Sequence, residues 1–367
     1  MTAGSSLQRP LPLPMSHKHL VHGPRHAILH HMGWVVAALC LLLLCVMALA
    51  ASIGAVSIPL DVVSGVVANR LVPDLVPVTW SAGRENIVWE VRLPRVILGA
   101  IIGASLALVG AALQSVTRNP LADPHLLGIS SGAALGAIIV LLHTGLFLGL
   151  VTVPLFAFAG ALATTVLVVF VANLAQATNA SRLVLTGVAV SFIITSAGSL
   201  GIFLGDPRAA HTVIFWMLGG LGLAQWSHLP YPLAALLLCG AWLLLRARQF
   251  NAMTLGDETA TTLGVPASRF RMVVFVVCAV LTGTAVAFSG VIAFVGLMIP
   301  HIVRMIVGGD YRRVLPLTAL VGAIFLILAD LVARMVIPPQ DVPIGIITGL
   351  AGGVFFIALM WRNARMG

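Results

Sequence analysis

Three groups of residues in this sequence have the type and placement to do chemistry: arginines at the mouths of apolar runs, one segment rich in glycine, threonine and acidic residues, and histidines. Arg92 and Arg95 lie one turn apart and so share a helix face. Arg334 sits at the end of another apolar run, four residues after Asp330, a spacing that allows an ion pair within the helix. A guanidinium fork meets a carboxylate with two hydrogen bonds, so these arginines suit docking of an acidic protein surface. Lipid headgroups, or local pairing of Arg334 with Asp330 and Arg92 with Glu90, are the other readings. Between two apolar runs, residues Ala252 to Pro266 place Leu255, Ala260 and Leu263 for a small apolar face. Gly256 interrupts the segment, and Gly264-Val265-Pro266 closes it. A short helix of this kind either lies on a membrane surface or inserts into a soluble partner. Of the eleven histidines, six (His17, His19, His22, His26, His30, His31) crowd the N-terminal tail, where a His-rich tract can bind metal or haem but where irregular spacing favours incidental polarity. His301, in a short apolar run, has no HExxH partner.

Other chemistry is excluded by what is missing. The only lysine, Lys18, lies in the tail, so no G-x-x-x-x-G-K-[ST] phosphate loop exists and ATP hydrolysis has to come from another subunit. Mid-span carboxylates, which a proton relay would need, are scarce. Cys40, Cys45, Cys239 and Cys278 lie inside apolar runs without CxxC spacing, as inert thiols do. No catalytic residue, metal site or resident cofactor is expected.

The elements that position these residues are membrane helices. Of the 367 residues 60% are apolar and 8% charged, against roughly 25% charged in soluble domains. Runs of about 20 apolar residues cross a bilayer, and their backbone groups are satisfied inside helices. Hydropathy predicts an all-α integral membrane protein with about ten spans: 33–54, 94–113, 124–143, 151–174, 182–204, 230–247, 270–292, a short one near 294–307, 314–334 and 343–361. Residues 1–32 form a His/Pro-rich tail expected to be disordered, and 33–367 a single ten-helix transmembrane domain. The first apolar run, Trp34 to Ala51, is long enough that it is expected to stay as an anchor and not to be cleaved. The formal charge of +9 comes from basic residues scattered singly between spans, which is a topology signal and not a nucleic-acid footprint. With the N-terminus inside, fourteen of the twenty basic residues face the cytoplasm, which places both termini there.

The chain also repeats itself. Gly103 to Gly110 resembles Gly283 to Gly290 at an offset of 180, which Pro120/Pro300 and Gly128/Gly308 keep. Pro154/Pro316, Gly160/Gly322 and Thr186/Thr348 share an offset of 162. Spans 2–5 therefore map onto spans 7–10, and helices five apart run in opposite directions. An inverted repeat is a transporter signature.

With these motifs in place, the chain resembles the vitamin B12 and iron-chelate permeases of ABC importers. The resemblance rests on Arg92-Leu-Pro-Arg95, Gly103 to Gln114, Arg118-Asn-Pro-Leu-Ala-Asp-Pro124 with Leu127-Gly128, Phe215-Trp-Met-Leu-Gly219, Pro300-His301 with Arg304, and Pro343-Ile-Gly345, across nearly the whole chain after residue 33. It implies a homodimer, two ATP-binding cassette subunits and a periplasmic binding protein, in a bacterial inner membrane. It makes 250–267 a coupling loop in which Leu255, Gly256, Ala260, Leu263 and Gly264 meet the ATPase. It makes Arg92, Arg95 and Arg334 contacts for glutamates of the binding protein. It places a cytoplasmic gate at Asn119, Leu121, Ala180 and Ser181. Within the family the 215–219 pattern is most like the haem branch, with ferric siderophore and cobalamin as the alternatives. A secondary transporter driven by an ion gradient is the competing class, disfavoured by the coupling segment and the scarcity of buried carboxylates.

Overall fold

The computed structural model describes residues 32–124, 128–176 and 180–364, so the tail at 1–31 and the expectation for it lie outside the described residues. The chain is helical, and among the described residues the only β pairing is a single bridge between Ile337 and Gln340. We number the helices α1 (Met32–Ser52), α2 (Leu60–Leu71), α3 (Ala82–Thr117), α4 (Ile129–Thr144), α5 (Thr152–Leu174), α6 (Ala180–Leu204), α7 (Pro207–Met217) and α8 (Pro230–Leu245). Then follow α9 (Ala247–Thr254), α10 (Asp257–Thr262), α11 (Ala267–Ser289), α12 (Val295–Val307), α13 (Tyr311–Met335) and α14 (Ile344–Ala364). Eight helices are long and apolar enough to cross a membrane, and the shorter apolar α4 and α12 complete the ten expected spans.

α3 is the axis of the bundle. It is buried on nearly every side from Pro94 to Val116, and it packs against α13, α11 and α12. Glycine makes the close approach possible. A Cβ on Gly103 would collide with the backbone carbonyl of Gly322 on α13, and one on Gly110 with that of Gly296 on α12. Small residues let membrane helices gain dispersion contact where the hydrophobic effect offers nothing against lipid. Gln114 adds a hydrogen bond from Nε2 to the Gly296 carbonyl, 2.9 Å.

The contacts follow the repeat. α3 packs on α13 as α11 packs on α5; α4 packs on α5 and α6 as α12 packs on α13 and α14. The offset of 180 fails beyond α3, however. Pro120 lies in the turn before α4 while Pro300 is inside α12, and Gly128 starts α4 while Gly308 ends α12. The structural counterparts are Gly128 (φ +78°) and Phe294 (φ +69°), the left-handed residues that begin the two short helices. Both helices begin well inside the bundle. A Cβ on Gly128 would lie 3.3 Å from Ser191 Oγ, and one on Gly352 would lie 2.6 Å from Phe294 Cβ. Ser191 and Gly352 are each roughly 12–16 Å along their own helices, at ~1.5 Å per residue. The span expected from residue 124 therefore starts at 129.

Candidate functional site

The bundle has two ends, named here for Asp257 and Arg95. At the Asp257 end, α8 runs into α9, and the chain turns at Gly256, whose φ of +113° a side chain would strain. One and a half turns of α10 follow, closed by Gly264 (φ +82°) and by a hydrogen bond from the Val265 amide to the Ala260 carbonyl, 2.8 Å. Asp257 fixes this small helix. Arg271 Nη2 donates to both Asp257 oxygens at 2.7 Å, while its Nε donates to the Val116 carbonyl at 3.0 Å. Arg118, at the end of α3, approaches the same carboxylate at 3.5 Å. Behind α10, Asn251 donates to Asp310 Oδ1 at 2.7 Å and accepts the Tyr311 amide at 2.8 Å. Burial disfavours the charge on Asp310, but the Asn251 amide, the Arg312 N–H and the charges of Arg312 and Arg313 outweigh it and hold the carboxyl below its ordinary value.

This base leaves Leu255 64% and Leu263 60% exposed. The expected three-residue apolar face is corrected: Ala260 is fully buried, because its place on α10 turns it toward the bundle. Two leucines, not three apolar residues, stand out from a rigid platform.

The residues expected to form the gate sit at the same end. Asn119 Oδ1 accepts the Leu121 amide at 2.9 Å, which fixes the turn and leaves Leu121 56% exposed. Ala180 and Ser181 open α6, with Ser181 exposed; the connection at 177–179 that leads to them lies outside the described residues.

At the Arg95 end the structure corrects the accessibility expected of the three arginines. Arg92, Arg95 and Arg334 are 5%, 8% and 7% exposed. Arg95 grips Asp330 through Nε at 2.9 Å and Nη2 at 2.8 Å, and Asp341 through Nη1 at 2.5 Å. Arg334 Nε lies 3.1 Å from Asp330, within charge attraction though off the line of a hydrogen bond, and its two Nη atoms donate to the Ala50 and Ile53 carbonyls. Arg92 donates to the carbonyls of Ala51, Ser52 and Val56, not to Glu90. The last carbonyls of a helix have no partner inside it. Arg92 and Arg334 supply partners for those of α1, which explains why arginines occur where the topology rule disfavours them. The pairing of Arg334 with Asp330 was legible in the sequence. The bridge from Arg95, 235 residues away, was not.

Sequence reasoning missed one further group. Ser130, Ser131, Ser191, Thr195 and Ser199 line a cleft of about 270 Å³ between α4 and α6, below α7. The available signal was the spacing of hydroxyls along α6, four apart from 191 to 199.

A polytopic helical bundle with a discontinuous inverted repeat and a clamped surface helix defines a transport permease of the ABC importer type. Residues 40–362 match the FecCD transport family, and the chain belongs to it. It is 39% identical over 291 residues to the hemin transport system permease HmuU of Yersinia pestis, covering 77% of this chain and 87% of that one. It is 40% identical over 276 residues to the cobalamin import permease BtuC of Halobacterium salinarum (75% and 73%). It is 37% identical over 285 residues to the Fe(3+) dicitrate permease FecD of Escherichia coli (77% and 88%). Among solved structures, a metal-chelate type ABC transporter in an inward-facing conformation superimposes with a TM-score of 0.77 at 30% identity, over 90% of this chain and 99% of that one.

Proposed function

We propose that this chain is the membrane subunit of a binding-protein-dependent importer that moves haem or another iron chelate from periplasm to cytoplasm. It works as a homodimer in a bacterial inner membrane, with two ATPase subunits on the Asp257 end and a periplasmic binding protein on the Arg95 end. The observation that carries the reading is the α10 platform: two leucines held out by Asp257, Arg118 and Arg271, on a chain with no nucleotide loop of its own. The exposed apolar faces of α6 (Phe192, Leu200, Phe203) and α14 (Leu350, Val354, Ile357) are available for a second copy or for lipid. Asn119, Leu121, Ala180 and Ser181 narrow the inner mouth across the dimer axis. The binding protein docks on the exposed rim around Asp341, since the three buried guanidiniums are committed to interior acceptors.

Relatives named for hemin, for cobalamin and for ferric dicitrate stand at similar identity, so haem leads only through the 215–219 pattern. The test is ATP-driven uptake by vesicles holding the assembled complex, with haem, ferric citrate, a ferric siderophore and cobalamin offered in turn. Uptake of haem above the others supports the reading. ATP hydrolysis by the purified chain alone, or uptake driven by an ion gradient without the ATPase, overturns it. Cysteines at 119 or 181 that crosslink between subunits irrespective of nucleotide would remove the gate from it.

A further inference from the structure

The cleft between α4 and α6 joins two features that are separate in most membrane proteins. The first is the start of α4 within the depth of the bundle, level with Ser191. The dipole of α4 places partial positive charge at this start. The second is Ser130 itself. It lines the cleft and is 5% exposed, and its hydroxyl has no hydrogen-bond partner among the described residues. Leaving a buried hydroxyl unpaired is unfavourable, and natural structures do it rarely.

The neighbouring hydroxyls are not equivalent. Ser131, Ser191 and Ser199 have given their protons to the carbonyls of Gly128, Gly187 and Thr195. The Thr195 side chain makes no hydrogen bond among the described residues. The cleft therefore offers donors from Ser130 and Thr195 beside the positive end of a helix dipole, with no cation beside them among its lining residues. Such a set binds an anionic oxygen without holding it as tightly as an arginine would. Weak, oriented binding is what a passage requires, since a site that is too favourable traps what it should release.

We infer that this cleft is a waystation for a carboxylate carried by the transported chelate. This rests on the importer reading and narrows it to cargo bearing free carboxylates, such as the two propionates of haem or a citrate ligand. A cargo presenting only amides would gain nothing from the site.

The experiment titrates the full-length chain in nanodiscs with haem and with haem dimethyl ester, which has the same ring and no carboxylate. Metal-free citrate serves as a competitor. The expected result is about tenfold weaker binding of the ester, the scale of a hydrogen bond to a charged group. In Ser130→Ala the gap should shrink severalfold. Thr195→Val, at an exposed position where folding is not at risk, should shrink it as well. Thr282→Val, which removes an unpartnered hydroxyl of α11 outside the cleft, should leave it intact. Equal binding of acid and ester, or a gap unchanged in both cleft variants, overturns the waystation. Vesicle uptake by the assembled complex is scored separately. A carboxylate preference without ATP-driven uptake keeps the site and sinks the importer, whereas ATP-driven uptake indifferent to the ester does the reverse.

Discussion

α3 ends in an arginine–aspartate cluster at each extremity, and the two are opposite in character. At the Arg95 end three guanidiniums and two aspartates are knitted to each other and to helix carbonyls, and the Asp330 side chain is 2% exposed. At the Asp257 end the shared carboxylate is 36% exposed and Arg118 is 48% exposed, and only Arg271 is buried. The same pair of residue types thus serves two purposes, and burial decides which. Where water is excluded, removing one charge strands the others, so the cluster governs whether the bundle assembles. Where water has access, as at Arg118, a pair contributes little to stability, and the cluster serves to hold α10 in place through the one buried partner, Arg271.

The sharpest way to break this contrast is Asp330→Asn. It leaves Arg95 and Arg334 buried with one charged partner fewer, and breaking a buried pair costs about 3–5 kcal/mol. The expected outcome is a large fall in thermal stability in detergent, or loss of folded protein. A denaturation midpoint close to wild type would erase the distinction between the ends. Next in size is Leu263→Glu. The residue is exposed, so stability should be kept, while ATP-driven uptake by the assembled complex falls at least about tenfold through the charge placed in an apolar contact. Uptake at wild-type rates would take α10 out of the coupling path. Asp257→Asn should lower stability less than Asp330→Asn, because the carboxylate is partly exposed and the buried Arg271 keeps its hydrogen bond to the Val116 carbonyl, yet reduce uptake severalfold by loosening the platform. Raising the salt should weaken this end and spare the other, which limited proteolysis of the 247–266 segment at two ionic strengths can read. The smallest effect concerns acid. Asp310 is held below its ordinary value of 3.8, so it adds stability above that value and loses it as the pH falls through the lower folded value. Stability curves between pH 5 and 3 should therefore steepen, and Asp310→Asn should flatten them.

How far the sequence could lead followed the same division between local and distant. The long spans were legible because bilayer thickness acts on composition residue by residue. The two short spans were legible too, but not where α4 begins, because the apolar run continues across Gly128 without marking the helix start there. α2 and α7 escaped because Asp61, Asn69 and Arg70, or Arg208 and His211, dilute helices too short to span. In the coupling segment the glycines at 256 and 264 marked the turns correctly. The inward aim of Ala260 depends on the phase of a helix under two turns long, which no pattern fixes. The role of Arg95 depended on an aspartate from the far half of the chain, a pairing invisible without the fold. The hydroxyl cleft was hidden for a similar reason, since Ser130 and Ser191 become neighbours only when α4 stops short.

The backbone-to-backbone seams of α3 with α12 and α13 have a mechanical consequence. Where Gly103 rests on Gly322 and Gly110 on Gly296, no side chain lies between the helices to deform, rotate or absorb a push. Close-packed interiors transmit strain rather than dissipating it. From Leu93 to Thr117, α3 is a strut of roughly 37 Å, at ~1.5 Å per residue, anchored at one end by Arg118 and at the other by Arg95. A displacement of either end of α3 is therefore carried along its length rather than absorbed at its seams. The loosely packed α6 and α14, with most of their surface uncovered in one chain, are the parts left to swing.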